Sequence, residues 1–205
     1  MTTARGKFIT VEGMDGAGKS SHLKFLAEAL GSRAPEILVT REPGGTELAE
    51  KLRELVLEQA MDPVAETLLM LAARSDHVKR VICPALLEGT WVLCDRYSDA
   101  TYAYQGGGKG VSTELIRALA DTVHRDATPD RTIVFDCSFE VASGRLARAG
   151  RKLDRFEAEG GAFFGRVRAA YLEIARAEPK RVTLIDASVE PAAVQAALAR
   201  AIEDL

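Results

Sequence analysis

The stretch FITVEGMDGAGKSSHLKFL, which begins at Phe8, constrains the fold of this chain more than any other. Between an apolar strand pattern and a helical run lies the pattern G-x-x-x-x-G-K-[ST], formed by Gly13, Gly18, Lys19 and Ser20. Glycines let the backbone curve so that successive N–H groups face a phosphate, and the helix adds the partial positive charge of its N-terminus. The stretch predicts a loop that binds a nucleoside triphosphate, with Lys19 at the β and γ phosphates and Ser20 on magnesium.

Four more apolar runs share the pattern of the strand before this loop, since each is short and is followed by a polar or acidic residue. They are Ile37 to Val39, Trp91 to Cys94, Ile133 to Phe135 and Val182 to Ile185. Short, continuous apolar runs are typical of buried parallel strands, and helical patterns separate them here. The alternation predicts an α/β sandwich around a parallel sheet.

Ligands of such sheets bind beyond the carboxyl ends of the strands. An acidic residue directly after a strand, such as Asp95, also suits magnesium and its bound waters. The candidate functional residues are therefore those that follow the apolar runs, namely Glu12 to Ser20, Thr40 to Gly45, Asp95 to Tyr97, Asp136, and Asp186 to Ser188.

Several helix boundaries are visible in the sequence. Asp62 is a candidate N-cap with Pro63 at the first helical position, and the helical pattern continues until Gly89. Pro84 predicts a kink in this long helix because proline has no N–H to donate. Ser112 is a second candidate N-cap.

The composition limits the class of protein. Apolar residues make up 47% and charged residues 28% of the 205 residues, which suits one well-packed domain. The net charge of -3 argues against a nucleic-acid partner, and no apolar stretch reaches the length of a signal peptide or a membrane span. The cysteines are odd in number and lie in apolar surroundings, which predicts free thiols in a reducing compartment and a cytoplasmic protein.

A second stretch, AYQGGGKG, also joins glycines to a lysine. No strand runs directly into its glycines, and the next helix starts only at Ser112, so the context of a phosphate-binding loop is missing. We predict that this stretch is not a second phosphate-binding loop and that Lys109 is solvated.

The segment GRLARAGRKLDRFEAEGG is the most basic part of the chain. Such a cluster is usually a solvated helix face. Phosphoryl transfer, however, develops charge on oxygens that arginines of a closing lid can stabilise, and the phosphate loop has no arginine of its own. We therefore predict a mobile lid near residues 145–160, with cations at Arg145, Arg148, Arg151, Lys152 and Arg155.

Six motifs, in this order and spacing, resemble the bacterial thymidylate kinase family from end to end. They are GMDGAGKSS, TREPGGTELAEKLRELVL, AARSDHV, DRYSDATYAYQGGGKG, RKLDRFE and IDAS. The resemblance implies one P-loop NTPase domain over residues 1–205, an α/β three-layer sandwich with a five-stranded parallel sheet flanked by helices. It implies transfer of the γ-phosphoryl group of ATP to thymidine monophosphate (dTMP), which gives the diphosphate. It further implies Mg2+ as cofactor and a homodimer.

The resemblance also implies which residues form the donor and catalytic parts of the site. ATP is expected at Gly13, Met14, Asp15, Gly16, Ala17, Gly18, Lys19, Ser20, Ser21 and Ala187. Magnesium is expected at Ser20 and Asp95. The implied catalytic residues are Asp15, Lys19, Arg96 and the lid arginines Arg148, Arg151 and Arg155.

For the acceptor, the resemblance implies that Arg53 reaches the phosphate and that Arg74 hydrogen-bonds the thymine edge. Thr101 and its neighbours would face the nucleoside, and the three glycines after them would let the backbone pass close to the ligand. The full set of implied acceptor residues is Asp15, Glu42, Pro43, Arg53, Met70, Arg74, Arg96, Thr101, Tyr104 and Gln105.

Two residues depart from patterns found in the family. Met70 stands where a phenylalanine commonly stacks on the thymine ring, and a thioether orients a base less strictly than an aromatic face. Gly16 stands where some eukaryotic members carry an arginine. The resemblance therefore implies that the positive charge that stabilises the transferred phosphoryl group comes from the lid. The alternatives are a kinase for another (deoxy)nucleoside monophosphate or a deoxynucleoside, and a nucleotide-binding regulatory protein without the chemistry.

Overall fold

The computed structural model describes residues 4–148, 150 and 153–205. Within them the chain forms one parallel sheet in the order β2-β3-β1-β4-β5, which confirms the predicted α/β fold with five parallel strands. The strands are β1 (Phe8–Glu12), β2 (Ile37–Arg41), β3 (Trp91–Asp95), β4 (Arg131–Asp136) and β5 (Val182–Asp186).

The sheet is buried only in its centre. Every residue of β1 is buried, whereas the edge strands are partly exposed, with Val39 at 49% and Leu184 at 42%. The prediction of uniformly buried strands was wrong for β2 and β5, because an edge strand has a neighbour on one side only. The central register sets Val11 opposite Asp95, so the phosphate loop and the residues after β3 leave the sheet side by side.

Helices cover the sheet, and the two capping residues that the sequence predicts, Asp62 and Ser112, are confirmed. Asp62 Oδ1 accepts a hydrogen bond from the Val64 N–H at 2.8 Å, and Ser112 Oγ accepts one from the Leu115 N–H at 3.3 Å. The α-helices are α1 (Lys19–Gly31), α2 (Glu47–Glu58), α3 (Pro63–His77), α4 (Cys83–Leu87), α5 (Ser98–Thr101), α6 (Thr113–Val123), α7 (Phe139–Arg148), α8 (Gly161–Ala177) and α9 (Pro191–Ala201). None of the helices described has the length and apolar character needed to cross a membrane.

The long helix in which the sequence predicts a kink at Pro84 contains a π-helical turn just before that proline. Val78–Ile82 is π-helical and connects α3 to α4. The N–H of Cys83 donates to the carbonyl of Val78, five residues back, and Pro84 has no N–H to donate. The π-turn thus lets the helical path continue through a proline.

The glycine-rich stretch is a second π-helical segment, Tyr102–Gly108, and it packs on α8. A Cβ atom at Gly107 would lie 2.7 Å from the Ala170 Cβ, and one at Gly108 would lie 2.5 Å from the Phe163 ring. The expectation that these glycines bring the backbone close to a ligand was wrong. They bring it close to helix α8 instead.

Candidate active site

A cavity of about 800 Å3 opens at the carboxyl ends of the strands. It brings together residues that the sequence assigned to the donor and to the acceptor. The donor side is lined by Asp15, Gly16, Ala17, Gly18, Lys19, Ser20, Ser21 and Ala187, and the acceptor side by Glu42, Pro43, Arg53, Met70, Arg74, Arg96, Thr101, Tyr104 and Gln105. Asp95, which the sequence assigned to magnesium, also lines the cavity.

The phosphate loop curves around the amine of Lys19. Gly18 caps α1 in the left-handed region at φ 98, and Lys19 Nζ donates to the carbonyls of Gly13 (3.0 Å) and Met14 (3.2 Å). Gly13 and Met14 thus contribute through their backbone and do not line the cavity. Burial and the nearby charge of Arg96 lower the pKa of Lys19. A buried cation at the N-terminus of a helix is a suitable partner for phosphate.

Gly16 leaves no space for a side chain. Its φ is 80, and a Cβ there would lie 2.4 Å from the carbonyl oxygen of Ala142 on α7. An arginine at this position would require α7 to move. The position at which some family members carry an arginine therefore cannot supply positive charge in this chain.

Asp15, Arg96 and Tyr104 form a hydrogen-bonded cluster between the two halves of the cavity. Arg96 Nη2 donates to Asp15 Oδ1 at 2.6 Å and to the Tyr104 hydroxyl at 3.0 Å, and that hydroxyl donates to Asp15 Oδ2 at 2.7 Å. Burial alone would raise the pKa of Asp15, but Arg96, Lys19 and the Tyr104 hydroxyl outweigh it and lower the pKa to about 2. Arg96 adopts the left-handed region at φ 69, where a non-glycine residue is strained and often functional. The cluster holds an ionised carboxylate and an arginine between the phosphate loop and the part of the cavity that Arg74 lines.

The carboxylate of Asp95 has a free acceptor atom. Its Oδ1 is buried and has no hydrogen-bond partner among the described residues, and the side chain borders the cavity with Ser20. Magnesium prefers hard oxygen ligands and commonly takes one or two carboxylates together with phosphate oxygens and water. The oxygen donors of Ser20 and Asp95 fit this ion.

Arg74 is fixed at the bottom of the acceptor side. It is 4% exposed, and its guanidinium donates to Glu42 Oε2 (2.5 Å), Thr101 Oγ1 (3.0 Å) and the Tyr97 carbonyl (2.9 Å). The other oxygen of Glu42 accepts from His77 Nδ1 at 2.9 Å, since a carboxylate can only accept. A buried arginine with this many partners has one orientation, which suits the reading of a planar ligand edge.

Arg53 lies at the mouth of the acceptor side. Its Nη1 donates to the Pro43 carbonyl at 3.0 Å, which links α2 to the loop after β2. Burial, followed by the charge of Arg41, lowers the pKa of Arg53. Met70 lies on the neighbouring helix α3 and also faces the cavity.

The basic segment divides into residues that reach the cavity and residues that do not. Arg145 lines it and donates to the carbonyls of Ala17 (3.1 Å) and Ala187 (2.8 Å). Arg148 is exposed and bonds the Gly144 carbonyl within its own helix. Arg155 does not line the cavity but donates to a carboxylate of α3. Arg151, together with Lys152, lies outside the described residues.

The prediction that Lys109 is solvated was wrong. Its side chain is 13% exposed, and Nζ donates to Glu66 Oε2 at 2.6 Å. Glu66 is fully buried on α3, and no short-range pattern in the sequence marks the two residues as partners because 43 positions separate them.

The sequence assigned no individual role to two residues near the site, Arg145 and His77, and it named a third, Glu12, only as a candidate at a strand end. Arg145 was one member of a basic cluster in which nothing distinguished it. His77 lies in the motif AARSDHV, but nothing in that motif marks it as a partner of Glu42. Glu12 ends β1 fully buried, where it accepts from the Tyr97 N–H and the Tyr171 hydroxyl, and burial followed by Asp99 raises its pKa to about 7. Its position directly after an apolar run was the available signal.

The fold and the cavity define a P-loop phosphotransferase, in which a phosphate loop faces a second, charged pocket. A family model described as thymidylate kinase matches residues 11–198. The chain is 52% identical over 203 residues to a thymidylate kinase of Bordetella pertussis, covering 99% of this chain and 97% of that protein. It is 54% identical over 196 residues to one of Pseudomonas syringae pv. syringae, covering 94% and 93%.

A solved structure agrees with these relatives. The crystal structure of thymidylate kinase from Ehrlichia chaffeensis superposes with a TM-score of 0.79 at 33% identity, covering 97% of this chain and 99% of that one. The chain belongs to the thymidylate kinase family, and it is an enzyme of the nucleoside monophosphate kinase class.

Proposed function

We propose that the chain transfers the γ-phosphoryl group of ATP to dTMP and releases dTDP and ADP. The observation that carries this proposal is one cavity in which a phosphate loop and a fixed Arg74–Thr101 pair face each other across Asp15 and Arg96. The donor phosphates bind at the loop, and the pyrimidine binds at the pair. Membership of the thymidylate kinase family supports the choice of base.

On the donor side, the backbone N–H groups of residues 13–18 and the amine of Lys19 bind the ATP phosphates. Ser20 and Asp95 hold Mg2+, directly or through water. When bound, this ion neutralises charge on the phosphates and fixes their orientation. Ser21 adds a contact with the ATP phosphates at the start of α1. Ala187 lies beside the nucleoside of ATP, and its backbone carbonyl accepts a hydrogen bond from Arg145.

On the acceptor side, Arg53 and Arg96 hold the phosphate of dTMP in line with the donor. A phosphate monoester has a second pKa near 6, so it is largely a dianion at neutral pH and needs no strong general base. Catalysis then consists of alignment and stabilisation of charge. Asp15 and Tyr104 support this alignment because they hold Arg96 in place.

The remaining pocket residues select the nucleoside. Arg74 and Thr101 read polar atoms of the pyrimidine, while Met70 packs on its ring and accommodates the 5-methyl group. Glu42, Pro43 and Gln105 complete the wall. Tyr104 stands where a ribose 2′ hydroxyl would be crowded, which favours deoxynucleotides.

A lid over residues 145–160 of this single domain closes on both substrates, and its arginines Arg148, Arg151 and Arg155 supply positive charge as a group. The supporting observation is that an arginine at Gly16 would clash with α7, which leaves Lys19 as the cation of the phosphate loop. Lid closure also removes water, which protects ATP from hydrolysis.

The proposed enzyme is a homodimer. Large apolar side chains are exposed on α2 and α3, with Leu48 at 50%, Val64 at 40% and Leu68 at 48%. Contact with a second copy would cover them. Light scattering coupled to size exclusion tests this, and Leu68→Glu is expected to give a monomer.

The proposed location is the cytoplasm. The three cysteines are free thiols, and Cys94 and Cys137 are buried, which suits a reducing compartment.

The function is tested by ADP release against a panel of nucleoside monophosphates. We expect dTMP first, and dUMP second because a missing methyl group costs only about 1–3 kcal/mol. We expect dCMP to be a poor substrate because its edge mismatches Arg74 and Thr101. Equal efficiency with dCMP or UMP would assign the chain to another monophosphate, and no turnover of any acceptor would refute a kinase.

A further inference from the structure

Glu66, on helix α3, is the meeting point of three separate parts of the chain. It is fully buried, and its Oε1 accepts from Gln105 Nε2 at 2.8 Å. Its Oε2 accepts from Lys109 Nζ at 2.6 Å and also from Arg155 Nη2. Gln105 belongs to the acceptor wall, Lys109 follows the π-helical segment, and Arg155 belongs to the lid.

The charges around Glu66 are unequal, with two cations for one carboxylate. The ring of Phe156 compensates in part, because its centroid lies 4.8 Å from Lys109 Nζ and 4.3 Å from Arg155 Cζ. Burial would raise the pKa of Glu66, but hydrogen bonds from Lys109, Gln105 and Arg155 outweigh it and lower the pKa. The carboxylate is therefore held in the form that binds both cations.

The lid residues that reach Glu66 project from a rigid turn. Asp154 Oδ1 accepts from the N–H groups of Phe156 and Glu157, both at 2.9 Å, and Glu157 Oε2 accepts from the Asp154 N–H at 3.0 Å. Reciprocal capping of this kind fixes the backbone of the turn, and so it fixes the directions in which Arg155 and Phe156 project. Arg155 and Phe156 consequently bind as one unit.

Contacts continue from this unit to the reacting groups. The ring of Phe156 meets the ring of Tyr104 edge-on, with centroids 6.1 Å apart. The Tyr104 hydroxyl in turn holds Asp15 and Arg96. Glu66 is thus connected to the centre of the cavity both through Gln105 and through the lid.

We propose that Glu66 is the anchor of the lid, and that Arg155 is a positioning residue that docks on Glu66 rather than a residue that contacts the transferred phosphoryl group. Lys109 shares the anchor and keeps Glu66 paired when Arg155 is absent. This inference rests on the proposed kinase function, and within it Arg155 changes from a donor of positive charge to a positioning residue.

The first test is hydrogen exchange of the segment Leu153–Glu159, measured by mass spectrometry without nucleotides. Arg155→Met leaves Glu66 with two donors, so this variant is expected to fold, and its lid segment should exchange about tenfold faster than in wild type. Arg131→Met is the matched control, since Arg131 has a side chain that is 14% exposed against 20% for Arg155. Arg155 donates to the Glu66 carboxylate and to the Val56 carbonyl, and Arg131 likewise donates to the Asp204 carboxylate and to the Ala201 carbonyl. Because the contacts of Arg131 are with the C-terminal segment and not with the lid, its loss should leave the exchange of Leu153–Glu159 unchanged.

The second test is a double-mutant cycle on kcat with dTMP. Glu66→Gln and Arg155→Met should each lower kcat about tenfold with little change in the KM for dTMP, and the double variant should be no worse than either. Arg155→Lys should recover part of the rate. If the two effects multiply, or if Arg155→Met leaves the exchange of the lid segment at the wild-type rate, the proposal is overturned.

Failure of the anchor proposal can be distinguished from failure of the proposed function. The exchange experiment needs no substrate, so it decides the anchor even if the wild type does not phosphorylate dTMP. If Glu66→Gln does not fold, the comparison of Arg155→Met with Arg131→Met still decides whether Arg155 holds the lid segment, and an unchanged exchange rate still overturns the proposal.

Discussion

The substitution Glu42→Gln tests whether the orientation of Arg74 depends on a charged partner. Glu42 is 3% exposed and binds Arg74 with one oxygen and His77 with the other. Glutamine keeps the volume but replaces one acceptor oxygen by an NH2 group. The remaining oxygen can still accept from Arg74, and the NH2 group can donate to His77 Nδ1 if the ring changes tautomer and donates from Nε2 to Thr40. What Arg74 loses is the negative charge of its buried partner.

The size of the effect follows from burial. Removing one partner of a buried ion pair costs about 3–5 kcal/mol, and we expect the lower value of about 3 kcal/mol because glutamine keeps one acceptor. For a chain of this length, 1 kcal/mol shifts the Tm by roughly 2–4 °C, so the Tm should fall by about 6–12 °C. Glu50→Gln is the matched control, since Glu50 pairs with Arg41 at 2.9 Å on the surface. It should cost at most about 1 kcal/mol.

Thermal unfolding and steady-state kinetics measure the two consequences. Besides the lower Tm, Glu42→Gln should reduce kcat/KM for dTMP and narrow the preference for dTMP over dCMP, because Arg74 loses its single orientation. A Glu42→Gln protein as stable as Glu50→Gln, with unchanged base preference, would refute this account of Arg74.

Three other changes have expected outcomes. Arg145→Met should raise the KM for ATP more than the KM for dTMP in initial-rate kinetics, since Arg145 bridges only donor-side carbonyls. Asp95→Asn should raise the Mg2+ concentration for half-maximal rate, with Asp186→Asn as a control at another strand end. Burial and Arg74 lower the pKa of His124 to about 4, so the unfolded chain binds more protons between pH 6.5 and 4. Wild type should therefore lose about 3 kcal/mol of stability relative to His124→Gln as the pH falls through that range. Urea unfolding at several pH values measures this, and a free energy of unfolding that changes equally with pH in the two proteins would contradict it.

The sequence predicted best what is local in the chain. The phosphate loop, the residues at the strand ends and the caps at Asp62 and Ser112 each depend on a few consecutive residues, and the structure has them as predicted. The carboxyl ends of the strands in a parallel sheet lie close together, so the residues that follow them share one site. Their types can be read from the sequence, and they determine the chemistry of that site.

Side-chain partners far apart in the chain were not predictable in the same way. Arg155 and Glu66 are 89 positions apart, and Glu42 and His77 are 35 apart. A single sequence contains no periodicity that links such positions, so Lys109 was assigned to solvent and His77 to no role. Arg145 was missed for another reason, because the packing of α7 decides which cation of a cluster faces the cavity.

The close packing of Gly107 and Gly108 on α8 limits how this enzyme can be re-engineered. Tyr104 and Gln105 are carried by the same π-helical segment, so any side chain added at the two glycines would push that wall of the pocket as one piece. Directed evolution toward bulkier nucleoside analogues should therefore accumulate changes on α3, around Met70, and leave the glycines untouched. An inhibitor that gains its affinity from the Tyr104 and Gln105 wall would, for the same reason, leave the enzyme few routes to resistance.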